Sequence, residues 1–130
     1  MHPDVPQNIK LRLGKICLAL PGTREETAWT GVRWTVGSRN FAHVLMIDKG
    51  WPPAYAKAAA TAGPCCVLTF RSPLLLVDES AFRNQPFFKP VWWPDIAGMK
   101  LEANVDWQEV SQLVQGSYNW LARKGTQRRS

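Results

Sequence analysis

Val32-Arg33-Trp34-Thr35-Val36-Gly37-Ser38-Arg39-Asn40-Phe41-Ala42-His43-Val44-Leu45-Met46-Ile47 decides the fold class. Val32, Trp34 and Val36 alternate with Arg33 and Thr35, the period of two that sends successive side chains to opposite faces of a strand. Gly37-Ser38-Arg39-Asn40 supplies turn-forming residues, and Phe41 to Ile47 returns as a second strand. With those four residues as the loop, Val36 is expected opposite Phe41 and Trp34 opposite His43. Arg33 and Thr35 then point to the other face, with Arg39 at the hairpin tip. The returning strand is apolar on both faces, because Ala42, Val44 and Met46 alternate with Phe41, Leu45 and Ile47. Such a strand belongs in the middle of a sheet.

Helices flank this hairpin. Asn8 to Leu20 places Ile9, Leu13, Ile16, Cys17 and Leu20 on one stripe, and Pro21-Gly22 stops the helix. Glu25-Glu26, just past that end, reads as solvated. After a loop over Asp48 to Pro53, residues 54–62 are alanine-rich enough for a short helix, closed by Gly63-Pro64. Cys65 to Arg71 reads as a strand. Ser72-Pro73 has the form of a helix start, which extends the helix to about Asn84, with a strand over Leu74 to Val77 as the alternative. Gln85 to Ile96 holds three prolines with Phe87, Phe88, Trp92 and Trp93, and reads as an ordered loop packed by its own rings. Ala97 to Ala103 is a short strand. Asp106, with Glu109 three residues later, caps a final helix whose stripe is Val110, Leu113, Val114, Tyr118 (or Ser117) and Leu121. Hairpins without a βαβ run predict an α+β, two-layer domain, a mostly antiparallel sheet with helices packed on one face.

At 130 residues the chain has the size of one domain, read here as 1–124 followed by a basic, disordered tail at 125–130. Its net charge of +6 is unevenly spread. Residues 1–77 hold nine basic and four acidic side chains, residues 78–122 three and six, and Arg123, Lys124, Arg128 and Arg129 close the chain. Much of the basicity therefore sits at the end, which weakens an argument for nucleic acid from pI alone. The longest aliphatic run, Leu74 to Val77, is far short of the roughly 20 residues of a membrane span, and no targeting signal is visible. The three cysteines, Cys17, Cys65 and Cys66, make a poor disulfide framework and lack zinc-ligand spacing. Reduced thiols in a cytoplasm are the simplest reading, and buried strand cysteines are favoured over a redox pair. Seven tryptophans are too many for all to be fully buried in so short a chain.

The helix ending in Leu20-Pro21-Gly22-Thr23-Arg24-Glu25-Glu26, the Val32 to Gly37 strand followed by Phe41-Ala42, Phe70-Arg71-Ser72-Pro73, and the Asp106-Trp107 to Ser117-Tyr118 helix occur in that order. This ordered set resembles the MmcQ/YjbR family over residues 8–124. The resemblance implies a small cytoplasmic α/β domain credited with DNA binding through β-hairpins that protrude like a double wing. It carries across no catalytic residue set and implies no cofactor.

Two surfaces are candidates for contact with a ligand. Arg33 and Arg39, with Lys49 in the following loop, would present cations along one hairpin edge, where phosphates give affinity and register without sequence readout. A solvated, charged edge that blocks strand pairing is the plainer reading. Trp92 and Trp93 beside Lys89 would form a stacking platform for unpaired bases, or a loop pinned by its own rings. Arg123 and Lys124 would add sequence-independent affinity. His43 reads as a packed histidine and Tyr118 as a tie between helix and sheet. No acid, base and nucleophile converge, no Gly-rich phosphate loop is present, and neither metal nor cofactor is expected. The expected function is non-enzymatic binding of DNA through basic hairpin wings. The alternative is a protein- or peptide-interaction module using the open sheet face and the Trp-rich loop.

Overall fold

The computed structural model describes residues 3–123, together with the helical backbone that continues to Arg129. Along the chain run α1 (Gln7–Leu18), β1 (Thr23–Thr27), β2 (Val32–Val36), β3 (Arg39–Ile47), α2 (Pro53–Ala59), β4 (Cys65–Arg71), a single 3-10 turn (Pro73–Leu76), β5 (Phe87–Phe88), β6 (Ile96–Lys100) and α3 (Trp107–Arg129). The strands form one antiparallel sheet in the order β1-β2-β3-β4-β6-β5. The α+β, antiparallel reading holds, and β3 lies inside the sheet as its two apolar faces require.

Residues opposite one another in an antiparallel ladder share a face. Trp34 pairs with Ala42, and Val44 with Leu68, and all four lie in the main core beneath α1 and α3. Leu13 and Cys17 of α1 and Val110 and Val114 of α3 are fully buried there. Each such aliphatic side chain contributes about 2 kcal/mol by removal from water. The opposite register row, Arg33 with His43 and His43 with Thr69, lies on the far face. There Leu45, Ile47, Val67 and Phe88 make a second, smaller cluster under α2. The two long helices thus cover one layer, while short α2 caps one end of the other.

Several local expectations are corrected. The β2–β3 loop is the two residues Gly37-Ser38, so Arg39 pairs with Val36 inside the strand and does not sit at a tip. A register shift at Trp34/Thr35 leaves Phe41 as the extra residue of a bulge, which sets Trp34 opposite Ala42 and His43 opposite Arg33. Glu25-Glu26, expected to lie solvated just past a helix end, belongs to the edge strand Thr23–Thr27. It has no apolar alternation because side-chain bonds hold it: Trp34 Nε1 donates to Glu25 Oε1 at 2.9 Å on the helix side, and Arg33 meets Glu26 on the other. The helix expected from Ser72 is one 3-10 turn with no side-chain cap. The 85–96 loop contains the two-residue strand β5.

The expected N-cap of α3 is present. Asp106 Oδ1 accepts from the amides of Gln108 and Glu109 at 3.0 and 3.4 Å. Tyr118 ties α3 to the turn after α1 by donating its hydroxyl proton to the Pro21 carbonyl. Ser117 is fully buried. Its hydroxyl donates to Phe41 O at the bulge (2.7 Å) and accepts from the Arg71 amide (2.8 Å). Among the described residues no helix is long and apolar enough to cross a membrane.

Candidate functional site

Three connections build a surface of aromatic rings on the sheet face away from α1 and α3. First, the β1–β2 turn closes with Ala28 N–H on Gly31 O, and Gly31 at φ +73° brings the backbone against Val44 O, where an added Cβ would lie 2.0 Å away. That close approach lays Trp29 and Thr30 over the far face. Second, Asp48 and Trp51 exchange backbone hydrogen bonds at 2.9 and 3.0 Å around Lys49-Gly50, whose φ angles of 53° and 72° suit a tight mirror-image turn. Trp51 is thereby set edge-on to Trp29, with ring centres 5.5 Å apart. Third, α2 starts directly after this turn and carries Tyr55 between His43 (6.1 Å) and Trp92 (4.9 Å), both edge-to-face.

The Trp-rich loop is pinned by polar groups as well as rings. Lys89 Nζ donates to the Pro90 and Trp93 carbonyls, the latter at 2.7 Å. Arg71 Nη1 meets buried Asp95 Oδ1 at 2.8 Å, and its guanidinium lies 5.4 Å from the centre of the Trp93 ring. Trp120 Nε1 reaches the other Asp95 oxygen at 3.3 Å, and the Ser72 amide donates to Asp95 O. Trp92 consequently turns inward onto Tyr55. Trp93 stays 54 % exposed and Trp29 61 %.

His43 organises the floor. Its Nε2 lies 2.8 Å from Thr30 O, which accepts only from an N–H, so Nδ1 is the unprotonated nitrogen that faces the Tyr55 hydroxyl at 3.5 Å. Burial lowers its pKa first, and the Arg33 charge lowers it further against the Thr30 bond. Burial likewise raises the Tyr55 hydroxyl. Between the depressed folded value and the ordinary value near 6.5, the unfolded chain binds more protons than the folded one. Stability is therefore expected to fall as pH drops below about 6.5. Thermal melts between pH 7.5 and 5.5 check this, and His43→Gln should flatten that part of the profile. An unchanged slope in the variant would remove His43 as the cause.

The cations picked out from sequence are dispersed. Arg33 lies on the far face, where its Nε and Nη2 both bond Glu26 Oε2 at 3.0 and 2.8 Å, with Arg24 3.8 Å from the same carboxylate. Arg39 pairs with Val36, whose side chain packs on the helix-side core, and so lies on the opposite face. The strand β1 shields β2, so the hairpin has no free wing edge on that side. Lys49 is exposed at its turn beside Trp51. Lys89, Trp92 and Trp93 do come together. Arg123 is exposed on α3, while the roles expected of Lys124 and of the 125–130 tail lie outside the described residues.

Sequence reasoning missed Trp29, Trp51 and Tyr55, because their meeting depends on two tight turns and a loop folding across the sheet. The Lys49-Gly50 pair was the legible signal. The thiols are not poised for chemistry: burial raises all three, Cys66 to about 12 with Cys65 adding to the rise. No group of three or more His, Cys, Asp and Glu suited to a metal ion occurs among the described residues. Comparison with known families found no matching family model, and comparison with curated proteins found no match.

Proposed function

We propose that this chain is a non-enzymatic, cytoplasmic nucleic-acid-binding domain of the MmcQ/YjbR type, and that it engages unpaired bases on its aromatic face. The observation that carries this reading is the two ring pairs Trp29–Trp51 and Tyr55–Trp92 with exposed Trp93, and exposed Lys49 at the turn next to Trp51. Exposed indoles stack on any base and nearby cations hold the backbone, a combination suited to single strands. The hairpin-wing version is the weaker one, since Arg33 would have to leave Glu26 before it met a phosphate. Free thiols with raised pKa values suit a reducing compartment.

The test is fluorescence anisotropy of labelled single-stranded and duplex DNA at two salt concentrations. Single strands should bind more tightly than duplex, with affinity falling as salt rises. Trp93→Ala is expected to weaken single-strand binding by about 5- to 100-fold, the range of one lost base stack. Arg33→Glu should cost less than that. Equal binding by the Trp93 variant would sink the aromatic-face reading.

A protein-partner reading has its own observation. Leu74, Leu76 and Val77 are exposed just after β4, and Val91 in the Trp-rich loop, the two valines at 84 % and 94 %. Polar replacements there should leave DNA binding unchanged under the leading reading.

A further inference from the structure

The two outer edges of the sheet are unlike. One is β5, two residues long, and so short an edge offers little to pair with. The other is β1, Thr23-Arg24-Glu25-Glu26-Thr27, five residues with neither proline nor bulge. We propose that β1 pairs antiparallel with β1 of a second copy of this chain, giving a two-fold dimer whose sheet runs unbroken through both subunits. The inference is independent of the nucleic-acid reading.

The phase of the β1–β2 ladder decides which groups the edge presents. Ala28 N–H bonds Gly31 O, so hydrogen-bonded pairs recur at Glu26–Arg33 and Arg24–Thr35. Thr23, Glu25 and Thr27 therefore turn their amides and carbonyls outward, where no strand meets them among the described residues. An antiparallel copy centred on Glu25 sets Thr23 opposite Thr27, Glu25 opposite Glu25 and Thr27 opposite Thr23. Each such pair exchanges two hydrogen bonds. The same register sets Arg24 opposite Glu26 on both sides of the axis, the reciprocity that a two-fold interface requires. Both side chains lie on the far face with their β2 partners Thr35 and Arg33. They occupy the non-hydrogen-bonded positions, where side chains across a ladder lie closest. Glu26 has an oxygen to offer: Arg33 holds Oε2 at 2.8 Å, and Oε1 faces Arg24 of its own chain at 3.8 Å. The Arg24 side chain is 71 % exposed. Charges on an edge ordinarily keep strands apart, but the order of these makes the edge complementary to itself. The like pair at the axis is Glu25, whose carboxylate is turned back onto Trp34 Nε1 of its own subunit at 2.9 Å.

Helix α1 brings an apolar patch to the same seam. Gly14 packs on Glu25, whose Oε1 would lie 3.3 Å from an added Cβ. Leu11 and Leu18, three residues before Gly14 and four after it, share that stripe of the helix and are 59 % and 51 % exposed. Pairing of the two edges lays the two α1 helices side by side over the seam, and these leucines leave water there.

The test is sedimentation velocity of the full chain without nucleic acid, from micromolar to millimolar concentration. A short edge and a few leucines make a small interface, so dissociation in the micromolar range is expected. Arg24→Glu, at an exposed position, should keep the fold by circular dichroism and weaken the dimer at least about 10-fold, because both cross-strand pairs become like-charged. Adding Glu26→Arg and Arg33→Glu inverts every sign, keeps the intrachain pair with its polarity reversed, and should restore the dimer. Leu18→Glu should weaken it as well. Hydrogen exchange supplies a readout at the edge itself. The amides of Thr23, Glu25 and Thr27 should slow as the concentration of the parent chain rises, and should not slow in Arg24→Glu. A chain that stays monomeric to millimolar concentration overturns the proposal. So does a dimer that ignores Arg24→Glu and leaves those three amides unprotected, since it forms through another surface.

Discussion

Ser117→Ala is expected to destabilise this protein by about 2–4 kcal/mol, far more than the loss of one surface hydroxyl. The reason is where the hydroxyl sits. The bulge in β3 takes Phe41 out of the ladder with β2, so its carbonyl needs another donor. Ser117 Oγ supplies it at 2.7 Å and accepts from the Arg71 amide at 2.8 Å, at the end of β4. One side chain thus satisfies two main-chain groups in a site with no access to water. Alanine leaves both unpaired, each costing about 1–3 kcal/mol, and deletes the polar contact that fixes α3 against the bulge. Urea unfolding of the two proteins measures the loss. A change below about 1 kcal/mol would mean that water reaches the bulge.

This bond also shows what the sequence could and could not convey. The Ser117-Tyr118 pair was visible as a signature, and Tyr118 as a tie to the sheet follows from a phenol on a packed helical stripe. The role of Ser117 depends on the bulge, and one extra residue in a strand leaves no trace in an alternation of apolar and polar residues. Arg39 was misplaced for a separate reason: the turn is two residues, Gly37-Ser38, rather than four, so Arg39 is already in the strand opposite Val36. Strand β1 was hidden for a different reason. Thr-Arg-Glu-Glu-Thr has no apolar period, and it joins the sheet through its ladder with β2 and two cross-strand side-chain bonds, Glu25 to Trp34 and Glu26 to Arg33. Periodicity reads burial, and this edge strand is held mainly by polar contacts. Of the candidate site, the Lys89-Trp92-Trp93 cluster was legible because its members are neighbours in sequence. Trp29, Trp51, Tyr55 and His43 were not, because they meet only once separate segments converge on the far face.

Gly31→Ala should cost about 3 kcal/mol or more and abolish the arrangement of the far face. Two penalties combine, and a second glycine separates them. Gly22 and Gly31 share nearly the same backbone angle, φ +72° and +73°, but a Cβ on Gly22 meets nothing within 4 Å. Gly22→Ala therefore reports the left-handed backbone penalty alone, on the order of 1 kcal/mol. A Cβ on Gly31 would lie 2.0 Å from Val44 O and 2.9 Å from Leu45 Cα, main-chain atoms in the centre of the sheet. The β1–β2 turn must then lift away. His43 loses the Thr30 carbonyl, Trp29 leaves Trp51, and the unpaired Thr30 hydroxyl opens to solvent. Melting temperature should drop by roughly 10 °C or more for Gly31→Ala, against a few degrees for Gly22→Ala. Single-strand binding by Gly31→Ala, measured below its melting point, should weaken with the loss of that face. Equal melting shifts in the two variants would mean that the turn yields without cost, so that the geometry of Trp29 and Thr30 is set elsewhere in the fold.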